Sequence, residues 1–155
     1  MTHRYIKELG SYIDQEVVLK GWLAQKRDSK GLLFATMRDG TGFVQVVIDE
    51  NVVGNEIFEQ AKKMGQESSF AISGIVKKDE RQFGGVEVQA KSFCAYANAE
   101  DFPITPKEHG VDFLMDKRHL WLRSKRQWAI MRVRNTIIFS IHEFFQNKGF
   151  RSILV

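Results

Sequence analysis

A phenylalanine and a glutamine on adjacent candidate strands are the residues of this sequence that could do chemistry together. Residues 32–48 alternate apolar and other side chains around Gly40-Thr41. If that pair is a two-residue hairpin loop, Phe34 and Gln45 lie on one face of the sheet. The opposite face then pairs Leu33 with Ile48, Ala35 with Val46, and Met37 with Val44, and we predict that it belongs to the core. A ring beside an amide on an open sheet can stack a nucleic-acid base and bond to its edge.

Five strands and one short helix must position these residues. Alternation predicts strands over 17–26, 32–38, 43–48, 69–77 and 86–97. Asn55 is the predicted N-cap of a helix that Gly65 ends, and this helix falls between the third and fourth strands. That order is typical of an OB-fold barrel, an architecture that often binds oligonucleotides. On the first strand, Trp22 shares a face with Val18 and Ala24 and is expected to wedge into the barrel.

A change of pattern after residue 100 indicates a second part of the chain. Both prolines of the sequence lie in 101–110. We therefore predict an OB-fold domain over 1–100, a hinge over 101–123, and a helical segment over 124–155. Apolar residues three or four apart predict one long helix from Ser124 to Asn147, ended by Lys148-Gly149. Its stripe consists of Ile130, Val133, Ile137, Ile141 and Phe144.

Composition narrows the class of protein. The 155 residues are 43% hydrophobic and 27% charged, as in a globular protein. No apolar run approaches the roughly 20 residues that span a bilayer, and the N-terminal residues lack the apolar core typical of a signal peptide. We therefore expect a cytoplasmic protein. The single cysteine, Cys94, fits a reducing compartment, and no histidine or cysteine cluster predicts a metal site. A net charge of +4 suits a polyanionic partner.

The motifs identify a family. The pattern Gly21-Trp22, Arg27-Asp28, Phe34, Arg38-Asp39, Gly42, Gln45-Val46 resembles the anticodon-binding barrel of the aspartyl-, asparaginyl- and lysyl-tRNA synthetase group (class II). The run 102–110, followed by 113–116 and 118–124, resembles bacterial asparaginyl-tRNA synthetase most closely. The resemblance implies a mainly β fold: a five-stranded OB-fold barrel with one short helix, then a hinge and a long α-helix from a truncated class II catalytic domain.

The resemblance assigns the anticodon contacts to four side chains. It implies that Phe34 stacks on the central anticodon base and that Gln45 recognises the edge of that base. Arg27 matches a residue that contacts base and backbone, and Glu87 matches the position that recognises a guanine as the first anticodon base. The plainer alternatives are that Phe34 is a core residue and that Gln45 and Glu87 are solvated polar side chains. Lys26, Lys77, Lys78 and Arg81 are candidate phosphate contacts, or simply solvated cations.

The resemblance also concerns catalysis and assembly. In the family, the long helix is the first part of motif 1, which builds a homodimer interface, and the motifs that hold ATP and the amino acid follow it. ATP and Mg would serve the intact enzyme, an asparagine–tRNA ligase. We expect this chain to hold no cofactor, to bind asparagine tRNA without catalysis, and to dimerise through the helix stripe.

Other functions remain open from the sequence. The nearest alternative family is aspartyl-tRNA synthetase. A generic single-stranded nucleic-acid-binding OB module would need the barrel but neither the hinge nor the helix. A dimerising, non-catalytic paralogue would use the helix without binding RNA. Titrating asparagine tRNA against a tRNA with another anticodon separates these hypotheses.

Overall fold

Alternation of apolar and polar side chains builds five strands from the first two thirds of the chain. The computed structural model describes residues 3–82, 84–105 and 107–151. Its strands are β1 (Glu16–Ser29), β2 (Leu32–Arg38), β3 (Phe43–Asp49), β4 (Ser69–Lys78) and β5 (Val86–Ala97). All five lie where the sequence predicts them, and β1 continues past its predicted end at residue 26. The chain divides into two compact units, residues 1–102 and 103–155.

The strands of the first unit close into a barrel in the order β1-β2-β3-β5-β4. Neighbouring strands are antiparallel, except that β3 and β5 run parallel. Closure satisfies the backbone groups that an open sheet would leave at its edges. The predicted five-stranded OB-fold barrel is therefore confirmed.

Inward-facing side chains from every strand fill the barrel. Each strand supplies at least one residue that is at most 2% exposed, among them Leu19, Leu33, Val46, Ile72 and Val88. The helix α2 (Asn55–Lys63), which lies between β3 and β4 along the chain, adds Phe58 and Ala61 to the same core. Burying a large aliphatic or aromatic side chain stabilises a fold by roughly 1.5–3 kcal/mol, so this core holds the barrel together.

The helical connection after β3 begins earlier than the sequence predicts. A short helix, α1 (Glu50–Val53), follows β3 directly, because the Asp49 side chain accepts a hydrogen bond from the Asn51 N–H at 2.9 Å. Gly54, with φ +84°, separates α1 from α2 and is the N-cap of α2. The predicted N-cap, Asn55, is instead the first residue of α2, and that prediction is wrong by one position.

A 3-10 helix over Ile6–Ser11 precedes β1 and has no counterpart in the sequence analysis. Its Leu9 is fully buried and Ile6 nearly so, and both belong to the barrel core. The Asp39 carboxylate accepts a hydrogen bond from the Ile6 N–H at 2.7 Å. The β2–β3 turn therefore holds the start of this helix through a contact between residues far apart in sequence.

Trp22 lies outside the barrel, not inside it. Residues 17, 19, 21 and 23 of β1 are buried, so alternation puts Trp22 on the outer face, where it is 41% exposed. The Arg38 guanidinium lies 5.2 Å from its ring centroid and also pairs with Glu67. The predicted wedge is wrong because the inner position belongs to Gly21, where even a methyl group would not fit. A Cβ there would come within 2.3 Å of the Arg38 carbonyl oxygen.

The described residues of the second unit form three helices, α3 (Val111–Asp116), α4 (Arg118–Trp121) and α5 (Lys125–Asn147). The first two lie within the segment predicted as a hinge, where His109 stacks on Phe113 at 5.1 Å. One of the two prolines predicted to mark the hinge, Pro106, lies outside the described residues.

The long helix forms where the sequence predicts it. The Ser124 Oγ caps α5 by accepting a hydrogen bond from the Gln127 N–H, and Gly149, with φ +89°, follows its end. The whole of α5 is described, and none of its residues is buried in this single chain. Its apolar stripe is 43% to 60% exposed: Ile130, Val133, Ile137, Ile141 and Phe144.

The close approach at Gly21 gives a stability prediction. Gly21→Ala should destabilise the barrel by about 1–3 kcal/mol, because the added methyl group overlaps a backbone oxygen that cannot move aside. A matched control is Gly10→Ala, since a Cβ at Gly10 meets nothing within 4 Å. Thermal unfolding of both variants checks this, and equal midpoints for the two would contradict it.

Candidate nucleic-acid interface

The β2–β3 hairpin has the predicted register. Phe34 pairs with Val47 and Thr36 with Gln45, and the three predicted core pairs lie on the other face. The turn holds this register through Asp39, whose side chain accepts hydrogen bonds from the N–H groups of Thr41 and Gly42. Phe34 and Gln45 therefore share the outer face of the sheet, as neighbours on a diagonal.

Phe34 is an outer-face residue rather than a core residue. The residues on either side of it, Leu33 and Ala35, are buried, whereas Phe34 is partly exposed. Arg27 is its partner across the β1–β2 ladder, and the Arg27 guanidinium lies 5.0 Å from the Phe34 ring centroid. This cation–π contact makes a flat platform that combines an aromatic surface with a positive charge. Such a platform suits a stacked base that is attached to a phosphate.

Gln45 and Glu87 come together through the parallel pairing of β3 with β5. They are direct partners in that ladder, and the Gln45 Nε2 donates a hydrogen bond to the Glu87 Oε2 at 3.1 Å. The contact leaves one carboxylate oxygen and the amide carbonyl as further acceptors, and one amide N–H as a donor. A carboxylate can accept from the ring N–H and amino group of guanine, and an amide can pair with a base edge by donating and accepting.

The four predicted anticodon contacts occupy two adjacent cross-strand rows of the outer face. One row contains Arg27, Phe34, Val47 and Gln89, and the other contains Gln25, Thr36, Gln45, Glu87 and Lys77. Two further outer-face residues, Gln25 and Gln89, are not among the predicted contacts, although each lies two positions from one and so shares its face. The barrel thus presents a ring, a guanidinium, a carboxylate and three amides on one surface.

The predicted phosphate contacts near β4 are paired with carboxylates. The Lys77 Nζ lies 2.9 Å from Asp14, and the Lys78 Nζ lies 2.8 Å from Glu80. These are exposed ion pairs, which contribute little to stability and exchange partners readily. Of these two lysines, Lys77 belongs to the row that contains Glu87, so it lies beside the candidate base contacts.

Arg81 has the best-defined partner of these cations. Its guanidinium donates two hydrogen bonds to Asp79, at 2.9 and 3.0 Å, and these bonds lower the pKa of the Asp79 carboxyl to about 2. The arginine side chain is itself largely exposed. Asp79 therefore holds Arg81 in the β4–β5 loop with its outer edge open to solvent.

Lys26, the fourth predicted phosphate contact, lies on the opposite side of the hairpin. Its Nζ donates hydrogen bonds to the carbonyl oxygens of Lys62 and Met64 at the end of α2. Partial burial lowers the pKa of its ammonium, and the nearby Asp28 offsets part of that effect. Lys26 is thus engaged with the helix rather than with the outer face.

The residues that the structure describes include neither a candidate metal centre nor a helix suited to spanning a membrane. No group of three or more His, Cys, Asp or Glu side chains in that part of the chain could hold a metal ion. Over the same residues, no helix is both long enough and apolar enough to cross a membrane.

Comparison with known proteins agrees with this geometry. Residues 17–93 match a family of tRNA anticodon domains described as OB-fold nucleic acid binding domains. Asparaginyl-tRNA synthetase from Pyrococcus horikoshii is 37% identical with a TM-score of 0.88, over 98% of this chain and 37% of that one. Its complex with asparaginyl-adenylate gives 36% identity and a TM-score of 0.89, over 99% and 36% of the two chains.

A more distant relative shares the fold. Aspartyl-tRNA synthetase from Entamoeba histolytica is 19% identical with a TM-score of 0.82, over 100% of this chain and 39% of that one. The present chain therefore spans less than two fifths of the length of each of these enzymes. The chain belongs to the synthetase group that its sequence motifs indicate. It carries the anticodon-binding OB-fold domain of an asparaginyl- or aspartyl-type tRNA synthetase.

Proposed function

We propose that this chain binds the anticodon loop of asparagine tRNA through the outer face of its barrel. The observation that carries the proposal is the adjacency of two pairs: Arg27 stacked on Phe34, and Gln45 hydrogen-bonded to Glu87. One pair can stack a base and the other can bond to base edges, which is how proteins recognise unpaired nucleotides. Asparagine tRNA is proposed rather than aspartate tRNA because the asparaginyl-tRNA synthetase from Pyrococcus horikoshii is 37% identical to this chain.

Each side chain has a distinct role in this proposal. Phe34 stacks on the central anticodon base while Arg27 holds the ring and neutralises a neighbouring phosphate. Gln45 bonds to the edge of that base, and Glu87 accepts hydrogen bonds from a guanine in the first position. Lys77, Lys78 and Arg81 exchange their carboxylate partners for phosphates, which contributes affinity without base specificity.

The remaining activities are proposed for the intact enzyme. There, ATP and Mg would support asparaginyl transfer to tRNA, and this chain would supply tRNA recognition. Dimerisation is proposed through the exposed stripe of α5, which leaves a substantial apolar surface in contact with water in a single chain. A generic single-stranded binding module is the alternative, and it would bind all anticodons alike.

Stacking on Phe34 gives the first functional prediction. Phe34→Ala should weaken asparagine tRNA binding about five-fold to a hundred-fold, because a stacked base contributes roughly 1–3 kcal/mol. The barrel should stay folded, since Phe34 lies outside the core. Tyr96→Ala is the control, because Tyr96 is an exposed aromatic residue at the end of β5 that is far from Glu87. Fluorescence titration measures both; a folded Phe34 variant that binds like wild type would refute the stacking role.

Base-edge contacts should control selectivity. We expect Gln45→Ala and Glu87→Ala to reduce the preference for asparagine tRNA over a tRNA with another anticodon more than they reduce overall affinity. Lys77→Ala should instead weaken both tRNAs equally and reduce the salt dependence by about one unit of slope. Titrations at several salt concentrations distinguish these patterns. If all three variants lose affinity for both tRNAs alike, the generic binding module is the better account.

The stripe of α5 gives a prediction about assembly. Ile137→Asp combined with Ile141→Asp should convert a dimer into a monomer, because buried carboxylates would be desolvated without a partner. The double variant should still bind tRNA through the barrel. Sedimentation velocity measures the oligomeric state, and a wild-type chain that sediments as a monomer would overturn the dimer proposal.

A further inference from the structure

The hairpin that carries Arg27 and Phe34 is fastened from behind to the helix α2. Lys26 extends to the end of that helix and donates hydrogen bonds to two of its backbone carbonyls, with 2.6 Å between its Nζ and the Met64 oxygen. The second acceptor is the Lys62 carbonyl oxygen. The last carbonyls of a helix have no partner within it, and a cation beside them also interacts favourably with the helix dipole.

A second lysine completes the link in the opposite direction. The Lys62 Nζ, on α2, lies 3.3 Å from the Asp28 carboxylate on β1 and 2.9 Å from Glu59 on its own helix. Asp28 and Lys26 are two positions apart, so both face α2. Arg27, the residue between them, projects to the other side of the strand, where it contacts Phe34. Both neighbours of Arg27 are therefore tied to the helix.

The link matters because this end of β1 is an edge of the sheet, paired with β2 on one side only. Residues 25–29 of β1 pair with β2 but have no partner in β4, whose pairing with β1 ends at Trp22. An edge strand is held by backbone hydrogen bonds on one side only. The contacts from α2 fasten this edge from behind, so they hold Arg27 against Phe34, which the pairing of β2 with β3 already fixes beside Gln45.

We propose that Lys26 is a positioning residue for tRNA recognition, which acts by fixing the β1–β2 hairpin to the end of α2 rather than by touching phosphate. This inference rests on the proposed function. A platform that is already fixed before tRNA arrives loses less conformational entropy on binding, so the link should increase affinity without contributing a contact of its own.

The test compares three lysine variants of the full chain. Lys26→Met keeps most of the length of the side chain but removes its charge and its donors, whereas Lys26→Arg keeps the charge and the donors. Lys20→Met removes the same charge from the exposed outer side of the same strand, because a bulge between Leu23 and Gln25 puts residues 20 and 26 on opposite faces of β1. Asparagine tRNA affinity is titrated at several salt concentrations, and thermal unfolding reports whether each variant is folded.

Positioning predicts a particular pattern of results. Lys26→Met should weaken binding about two-fold to ten-fold, the factor that corresponds to ordering one further side chain when tRNA binds. Its salt slope should equal that of Lys20→Met, and Lys26→Arg should recover most of the affinity. In a Phe34→Ala background the effect of Lys26→Met should nearly vanish, because the platform it positions is already gone.

Three results would overturn the inference. If the salt slope of Lys26→Met is about one unit smaller than that of Lys20→Met, Lys26 is a phosphate contact. Wild-type affinity in the folded fraction of Lys26→Met would restrict Lys26 to barrel stability. If Lys26→Met weakens tRNA binding as much in the Phe34→Ala background as in the wild-type chain, Lys26 acts elsewhere. If wild-type chain binds no tRNA, the proposed function itself fails, which is a separate outcome.

Discussion

The hairpin turn at Asp39 is the constraint on which both faces of the barrel depend. One carboxylate accepts hydrogen bonds from Thr41 and Gly42 within the turn and from Ile6 in the N-terminal 3-10 helix. A slip of one residue in the pairing of β2 with β3 would exchange the core face for the outer face. Phe34 would then enter the core, and Leu33 would be exposed in its place. The turn therefore decides at once what stabilises the barrel and what it offers to a ligand.

Closure of the barrel supplies the second half of the candidate site. Gln45 and Glu87 are 42 positions apart, and they meet because β5 inserts beside β3 in a parallel ladder. The remaining ladders hold β5 in place, so this contact depends on the packing of all five strands. The site is thus built on rigid elements, and only its flanking cations lie in or next to a loop. This division suits recognition in which base contacts are fixed in advance and phosphate contacts adapt.

Charge at the site is mostly balanced within the chain. The predicted phosphate contacts at Lys77, Lys78 and Arg81 each have a carboxylate partner, and Lys26 has backbone carbonyl partners. The net charge of +4 is therefore a weak guide to where an anion would bind. What distinguishes the outer face is the combination of a flat ring with amide and carboxylate groups. Such groups can distinguish bases, which a cluster of positive charges cannot do.

The sequence by itself determined the parts that follow local rules. Alternation located all five strands, the turn residues set the register of β2 with β3, and a serine and a glycine marked the two ends of α5. It did not determine the roles of Trp22, Lys26 or the 3-10 helix over residues 6–11. Those depend on contacts between residues far apart in the chain: the space left at Gly21, the end of α2 behind the hairpin, and the Asp39 carboxylate above Ile6. Periodicity tells which residues share a face, but only the closed barrel decides how much space each inner position has and what lies against each face.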